Sequence, residues 1–400
     1  MCAHNACNAN VNQSSSDGPR VEERIHTAAA DANAGRFSEA FDGYAAALAA
    51  EPGRRELHLR LYELAQVLGR NPEALAHLDA VLAGGRVVSI PAREQPAQLR
   101  VLALYRAALW EGNLPLELIL DDRHTTLHRL YVDPDRPERS ESVGRELAYD
   151  VLFNAIAESD AAQPTLTAAQ AFVDRRGGRC INPPQNVARM GREAVAARFA
   201  GSANVYAPAV ERVRREELAS RSIGSALLVR PIGSQAGVGL AKISDPHERD
   251  AYLSAQGEAE FFLTAFVDYR FADGFYRKYR IMFVRGVAFA YHLAISPNWM
   301  IHYYNAPMFE HAWMRAEEER FVDDLNGTFG GRLAAALAEI GEVIELDYFG
   351  IDCSIAPDGR LLLFEADSAM LVHGTDPPEL FSYKKRAFQN VQRAFAELLT

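Results

Sequence analysis

The stretch that most constrains this chain is GIDCSIAPDGRLLLFEAD, Gly350 to Asp367, two apolar runs joined through an Asp-Gly pair. An Asp-Gly pair between apolar segments signals a β-hairpin, because both residues tolerate the positive φ of a tight turn. A two-residue turn at Asp358 and Gly359 places Asp352 directly across from Glu365. Side chains alternate along a strand, so Asp367 shares the face of Glu365, while Ile351, Cys353, Ile355, Leu362 and Phe364 fall on the other face and read as core. Like charges facing each other across a ladder destabilise it unless something positive sits between them. The three acids are either solvated at the end of a surface hairpin or gathered around a cation, and their bunching at one end of an otherwise apolar hairpin favours the second reading. Oxygen ligands of this kind suit Mg2+, which takes one or two carboxylates and completes its shell with water and phosphate oxygens.

A second hairpin precedes the first. YRIMFVRGVAFAYHLAI turns at Arg285 and Gly286 and puts Lys278 and Arg280 on one face of its leading strand. Two cations so placed suit a transferring phosphoryl group or a developing oxyanion; the alternative is a pair of surface residues with packed stems. Further upstream, LLVRPIGSQAGVGLAKI is an apolar run that ends on Arg230, passes through Gly233, Ser234, Gly237 and Gly239, and resumes beside Lys242. Glycine amides approach an anion closely and the flanking cations balance its charge, so phosphate is the guest to expect, against the alternative of an ordinary turn.

The N-terminal part has a different texture. GRFSEAFDGYAAALAAEP begins at Gly35 and GRNPEALAHLDAVLAGG at Gly69, 34 residues later, with Ala40 matching Ala74 and Leu48 matching Leu82. That period resembles the tetratricopeptide repeat, a stacked helical hairpin, and an unrelated pair of alanine-rich hairpins is the alternative. After Pro96 the runs LRVLALY, TTLHRLYV and YDVLFNAI read as strands, followed by helices expected over Thr165 to Arg176 and Asn186 to Phe199, so this part is α/β. From Ala226 the hairpins and intervening helices read as α+β. A net charge of -11, with no basic stripe, argues against a nucleic-acid partner. The four cysteines, Cys2, Cys7, Cys180 and Cys353, lack metal-ligand spacing and fit a reducing compartment; with no signal-peptide-like or membrane-spanning run, the cytoplasm is the expected location.

Taken together, the order of elements from about Leu99 to the C-terminus resembles the ATP-grasp superfamily of carboxylate-amine ligases. LLVRP with GSQAGVG resembles its strand and glycine-rich lid, FFLTAFV its adenine-cradling hinge, YRIMFVRG the strand of its catalytic arginine, and DCSIAPDGRLLLFEAD its paired magnesium strands. YDVLFNAI and GRCINPP resemble parts of the α/β domain that precedes the grasp. With the repeats in front, the chain is similar to a bacterial group of tetratricopeptide-containing ATP-grasp proteins. The implied division is a disordered tail (1–20), helical repeats (21–95), a pre-ATP-grasp α/β domain (96–215) and the ATP-grasp domains (216–400).

The resemblance implies ATP and Mg2+ as cofactors. It gives Asp352, Glu365 and Asp367 to the metal, Arg280 to the γ-phosphate and acylphosphate oxygen, with Lys278 beside it as the second catalytic candidate from the hairpin, and Arg230 and Lys242 to the α- and β-phosphates, under a lid of Gly233, Ser234, Gly237 and Gly239. Ala265, Phe266 and Val267 would meet adenine through their backbone, and Asp268 the ribose. The family usually has lysine at Arg230, asparagine at Asp367 and an acid at Ala265; the first two exchanges keep charge or a coordinating oxygen. The implied reaction joins a carboxylate to an amine through an acylphosphate, releasing ADP and phosphate. A phosphotransferase, or a nucleotide-binding scaffold whose repeats recognise a protein, are the alternatives. His292, Trp299, His302, Tyr303, Asn305 and His373 are candidates for the acceptor pocket, and the repeats for docking a protein partner or a second copy.

Overall fold

The computed structural model describes residues 18–140, 147–234, 237–301, 305–374 and 376–400. Cys2, Cys7 and the tail before Gly18, together with His302 and Tyr303, lie outside the described residues. The chain forms two compact units, Met1–Val88 with Ala107–Trp110, and Ser89–Arg106 with Glu111–Thr400. No helix among the described residues is long and apolar enough to cross a membrane.

The first unit contains four helices, α1 (Gly18–Asn33), α2 (Phe37–Ala50), α3 (Arg55–Val67) and α4 (Asn71–Ala83), packed in order as two hairpins. The 34-residue offset is visible in the structure. Gly35 and Gly69 take the positive φ that leads out of α1 and α3, and Ala40 and Ala74 are completely buried where the next helix crosses. The loop Ala107–Trp110 belongs here because the Tyr62 hydroxyl donates to the Ala108 carbonyl (2.7 Å) and the Trp110 amide to Gln66 Oε1 (2.6 Å).

The second unit is mixed α/β and carries three sheets. The first has the order β1 (Val87–Ile90), β3 (Thr125–Tyr131), β2 (Leu99–Tyr105), β4 (Val151–Asn154), β5 (Cys180–Ile181), with β2, β3, β4 and β5 parallel. Parallel strands are covered on both faces, and accordingly Val101 to Leu104 are wholly buried. The helix Gln163–Arg176 crosses from β4 to β5 and stops at Gly177. The continuous helix expected over Asn186 to Phe199 is instead two pieces, Pro184–Val187 and Arg192–Arg198. The first piece ends at Val187, and Gly191, in an extended conformation, stands at the N-terminus of the second. As a result Arg192 starts a helix rather than sitting inside one.

The second sheet, β7 (Val210–Arg214), β10 (Glu260–Ala265), β8 (Leu227–Pro231), β9 (Ala241–Ile243), is antiparallel and closes over Val213, Leu218, Val229, Ile243, Phe261 and Leu263. The third has the order β12 (Val287–Ser296), β11 (Tyr276–Val284), β13 (Tyr348–Ile355), β14 (Leu361–Asp367), β6 (Val205–Tyr206). Helices Ala312–Asp323 and Lys384–Leu398 pack on β12.

Both expected hairpins form. β11 and β12 turn at Arg285 and Gly286, whose φ values of 49° and 76° fit a two-residue turn with both central residues left-handed. The β13–β14 turn differs from expectation. Pro357, Asp358 and Gly359 form a three-residue loop, closed by Gly359 N to Ala356 O and Ala356 N to Arg360 O, both 2.9 Å, with Gly359 at φ 81°. The ladder near the turn therefore pairs Cys353 with Leu363 and Ser354 with Leu362. Leu362 thus leaves the face it was expected to share with Cys353. A bulge beyond Cys353 then absorbs one extra residue of β14, cancels the shift, and restores Asp352 opposite Glu365.

Candidate functional site

Asp352 is a buried charge held by two cations. It is 4% exposed, at the centre of the third sheet, and β11 beside it brings two cations to its carboxylate. Arg280 grips it with Nε to Oδ1 (2.8 Å) and Nη2 to Oδ2 (3.0 Å), and Lys278 Nζ reaches Oδ2 at 2.9 Å. Burial alone would raise the Asp352 pKa, but Arg280 and Lys278 hold it well below the usual carboxylate range. Glu365, across the ladder, has a different partner: Arg192 Nη2 donates to its Oε1. The two facing acids are thus neutralised by side chains of the protein, one by β11 and one by a helix of the α/β layer, which corrects the expectation that an ion between them is needed to hold the hairpin.

Asp367 lies two residues beyond Glu365 on β14 and is pushed up to about 6, first by burial and then by Glu365. Glu158, which follows β4, is pushed up to about 7 by burial, by Asp160 and by Asp367, with Arg192 opposing. Burial is the first cause of both shifts, so Asp367 and Glu158 mark a buried acidic edge next to Glu365's strand. That edge fits a hard divalent cation held by Glu365 and Asp367, with water and phosphate oxygens completing the shell. Both Asp352 oxygens are committed to Arg280 and Lys278, so the three-acid set does not stand open together. Consistently, no three His, Cys, Asp or Glu side chains among the described residues are grouped to hold a metal by themselves.

Arg230 projects from β8 toward the same edge. Its pKa is pushed down to about 10 by burial and by Arg192, against Glu365. Its Nε donates to Ser234 Oγ (3.2 Å) and its Nη2 to the Ser234 carbonyl, so the start of the glycine-rich loop is folded onto its own arginine. Gly237 takes a positive φ of 73°. Gly239 is required twice over: its φ is 68°, and a Cβ there would meet Pro231 Cδ at 2.7 Å. Lys242 Nζ lies 4.0 Å from the centre of the Phe266 ring, which puts it at the hinge as well as under the loop. In the hinge the Phe266 amide is committed to the Ala226 carbonyl (3.0 Å), Ala265 ends β10 against Leu227, and the exposed Asp268 pairs with Arg270.

The acceptor candidates separate. Trp299 packs edge-on against Phe266 at 5.6 Å and its carbonyl accepts the Tyr269 hydroxyl, so it belongs with the hinge. Asn305 is exposed, with its amide 3.4 Å from the Met300 carbonyl. His292 and His373 come together with Arg280, Asp376 and Lys384 around a pocket of about 100 Å³. Burial and then Arg280 push His292 well below its ordinary pKa, and burial lowers His373, so both are neutral imidazoles at pH 7. Lys384 is braced by Asp376 (3.3 Å) and the fully buried Glu318 (3.5 Å). A wider depression of about 420 Å³ on the helical unit, along Arg20, Arg24 and Asp31, contains none of this constellation.

Sequence reasoning missed Arg192, Glu158, Asp376 and Lys384. Arg192 and Glu365 are 173 residues apart, so no local signal joins them, whereas Asp376, three residues after His373 and eight before Lys384, was within reach of a local reading. Phe364 was read as core, whereas it stands in the register shift of β14 and packs on Tyr269 of the hinge at 4.9 Å.

No protein-family model and no curated protein matches the sequence. Among solved structures the chain is similar to the VanG D-Ala:D-Ser ligase from Enterococcus faecalis, with 11% identity and a TM-score of 0.44 over 76% of this chain and 99% of that one. It is also similar to the ATP-grasp ligase PsnB, with 12% identity and a TM-score of 0.41 over 76% of this chain and 100% of that one. A RimK domain ATP-grasp protein from Sphaerobacter thermophilus aligns with 13% identity and a TM-score of 0.42 over 72% of this chain and 98% of that one. Likenesses of this strength assign neither a family nor a substrate to the chain.

Proposed function

We propose that this chain is an ATP-dependent carboxylate-amine ligase of ATP-grasp type, which forms an amide or peptide bond through an acylphosphate and releases ADP and phosphate. The observation that carries the reading is the convergence of three groups around Glu365: Arg280 and Lys278 locked on Asp352, the acidic pair Glu365 and Asp367, and Arg230 at the mouth of a glycine-rich loop. Phosphoryl transfer asks mainly for positioning and charge neutralisation, so a site built of cations and acids with no nucleophile suits it.

In this reading Asp352 is a positioning residue. It holds Arg280 by Nε and Nη2, directing the rest of the guanidinium to the pocket where the γ-phosphate and the carboxylate oxygen meet. Glu365 and Asp367 would hold Mg2+, which would supply neutralisation of phosphate charge. Arg230, Lys242 and the loop amides of Gly233, Ser234, Gly237 and Gly239 bind phosphate, while Ala265, Phe266, Val267 and Asp268 border adenine and ribose. The pocket of His292, His373, Asp376 and Lys384 receives the amine: neutral imidazoles and a carboxylate suit a nucleophile that must lose a proton as it attacks. The helical unit, resembling tetratricopeptide hairpins, serves as a docking layer for a protein partner or second copy, and the cytoplasm is the proposed location.

The test is nucleotide release. With Mg-ATP and a panel of amino acids, peptides and carboxylates, ADP should appear only when an acid and an amine are both present, and mass spectrometry should find their condensation product. AMP as the main product would remove the acylphosphate route. A stable phosphoester without an amine would make the protein a phosphotransferase, and binding without turnover a scaffold.

A further inference from the structure

We infer that Arg192 is a built-in counter-ion of the metal edge: it occupies Glu365 while nucleotide is absent and moves onto phosphate when nucleotide arrives, so that the cation loads with the nucleotide rather than before it. The inference rests on the assignment of Glu365 and Asp367 to the metal proposed above.

Arg192 is held in place by the fold. It is the first residue of the helix Arg192–Arg198, directly after the break at Gly191, and the next residue, Glu193, is anchored to Arg212 Nε at 3.1 Å. Its side chain is only 23% exposed and donates to Glu365 Oε1 through Nη2. The same guanidinium acts on Asp367 and Glu158, which makes it the counter-charge shared by three acids. Arg280 also acts on Glu365 and Asp367, and Arg230 on Glu365, but it is Arg192 that hydrogen-bonds Glu365, where a guanidinium competes with a divalent cation for the same oxygen.

The exchange needs somewhere for Arg192 to go. Arg230 is close enough for Arg192 to help depress its pKa, so two guanidiniums converge on one space with Glu365 between them. Two like charges this close are tolerated at rest because Glu365 separates them, and a di- or triphosphate accepts both forks in its place. Free Mg2+ would have to expel Arg192 with no new partner for it, whereas nucleotide offers that partner.

Mn2+ serves as the probe, followed by the electron paramagnetic resonance signal of the free ion during titration of the full chain, with and without ADP. Without nucleotide, Arg192→Met should bind Mn2+ at least about tenfold more tightly than wild type. With ADP that gap should close, because wild type gains affinity and the variant gains less. Glu365→Gln should lose the difference in either background. Equal Mn2+ affinity of wild type and Arg192→Met without nucleotide, while Glu365→Gln still weakens binding, overturns the exchange but leaves the metal assignment standing. Indifference of Mn2+ to Glu365→Gln in all conditions overturns the metal assignment itself. If Arg192→Met does not fold, Arg192→Lys takes its place, since a lysine offers one compact donor for the fork; it should give an intermediate gain, and no gain counts against the exchange.

Discussion

At the scale of single residues, the site is a set of charges whose states are fixed by burial and by named partners. Glu318 shows the consequence for stability. It is fully buried and pushed up to about 7 by burial, with Lys384 and the Tyr383 hydroxyl (2.6 Å) opposing. Between the ordinary glutamate value of 4.5 and about 7, the folded protein keeps a proton that the unfolded chain has released. Stability therefore falls as pH rises through that window and levels off above it, by an amount on the order of 3 kcal/mol for this one group. Glu318→Gln has no proton to lose; its one carbonyl oxygen can still accept from the Leu293 amide, while its NH2, in place of Oε2, donates to the Tyr383 oxygen as the protonated acid would. The variant should match wild type near pH 5 and be the more stable of the two at pH 8, as read from melting temperatures across that range. Parallel curves for the two proteins would show that Glu318 is already ionised in the fold.

At the scale of elements, the acidic hairpin is where sequence and structure can be compared most directly. Its strands, turn region and the pairing of Asp352 with Glu365 were legible, because an alternating apolar pattern and an Asp-Gly pair are local signals. The extra loop residue and the compensating bulge were not, since both depend on how β14 meets its neighbours; the expected pair appeared only because the two shifts cancel. The glycine-rich loop and the Arg285–Gly286 turn were legible for the same local reason. The broken helix before Arg192 and the cations paired with each acid arise from contacts distant in sequence, which periodicity does not report. This difference separates two substitutions that look alike in sequence. Asp352→Asn leaves Lys278 and Arg280 partly buried without their counter-charge, a loss of about 3–5 kcal/mol for a broken buried pair. Glu365→Gln breaks a partly exposed pair and should cost about 1 kcal/mol or less. Both should abolish Mg-ATP turnover, the first with a large drop in melting temperature and the second with little. Substantial ADP release by Glu365→Gln would remove that residue from the site.

At the scale of the whole molecule, the chain carries a net charge of -11, yet Arg192, Arg230, Lys278 and Arg280 gather around Asp352 and Glu365 in the second unit. An acidic protein repels a polyanion at long range, so these four must do their work at short range, where partial burial limits screening by salt. Every residue assigned to nucleotide, metal and acceptor lies within Ser89–Arg106 and Glu111–Thr400, with three sheets and their own buried core. The four helices bury their own alanine and leucine seams. Removal of Met1 to Gly85 should therefore leave a folded protein whose melting temperature still rises with Mg-ATP. Some stability should be lost, because the loop Ala107–Trp110 gives up its hydrogen bonds to Tyr62 and Gln66 and the already half-exposed Trp110 is uncovered further. ADP release with small substrates should stay within about threefold of the full chain, a change of under 1 kcal/mol in transition-state stabilisation. The proposed docking role of the helical unit requires use of a protein-borne substrate to fall much further. A truncated protein that folds, by circular dichroism and a cooperative melt, but no longer responds to Mg-ATP would mean that the helical unit helps to build the nucleotide site.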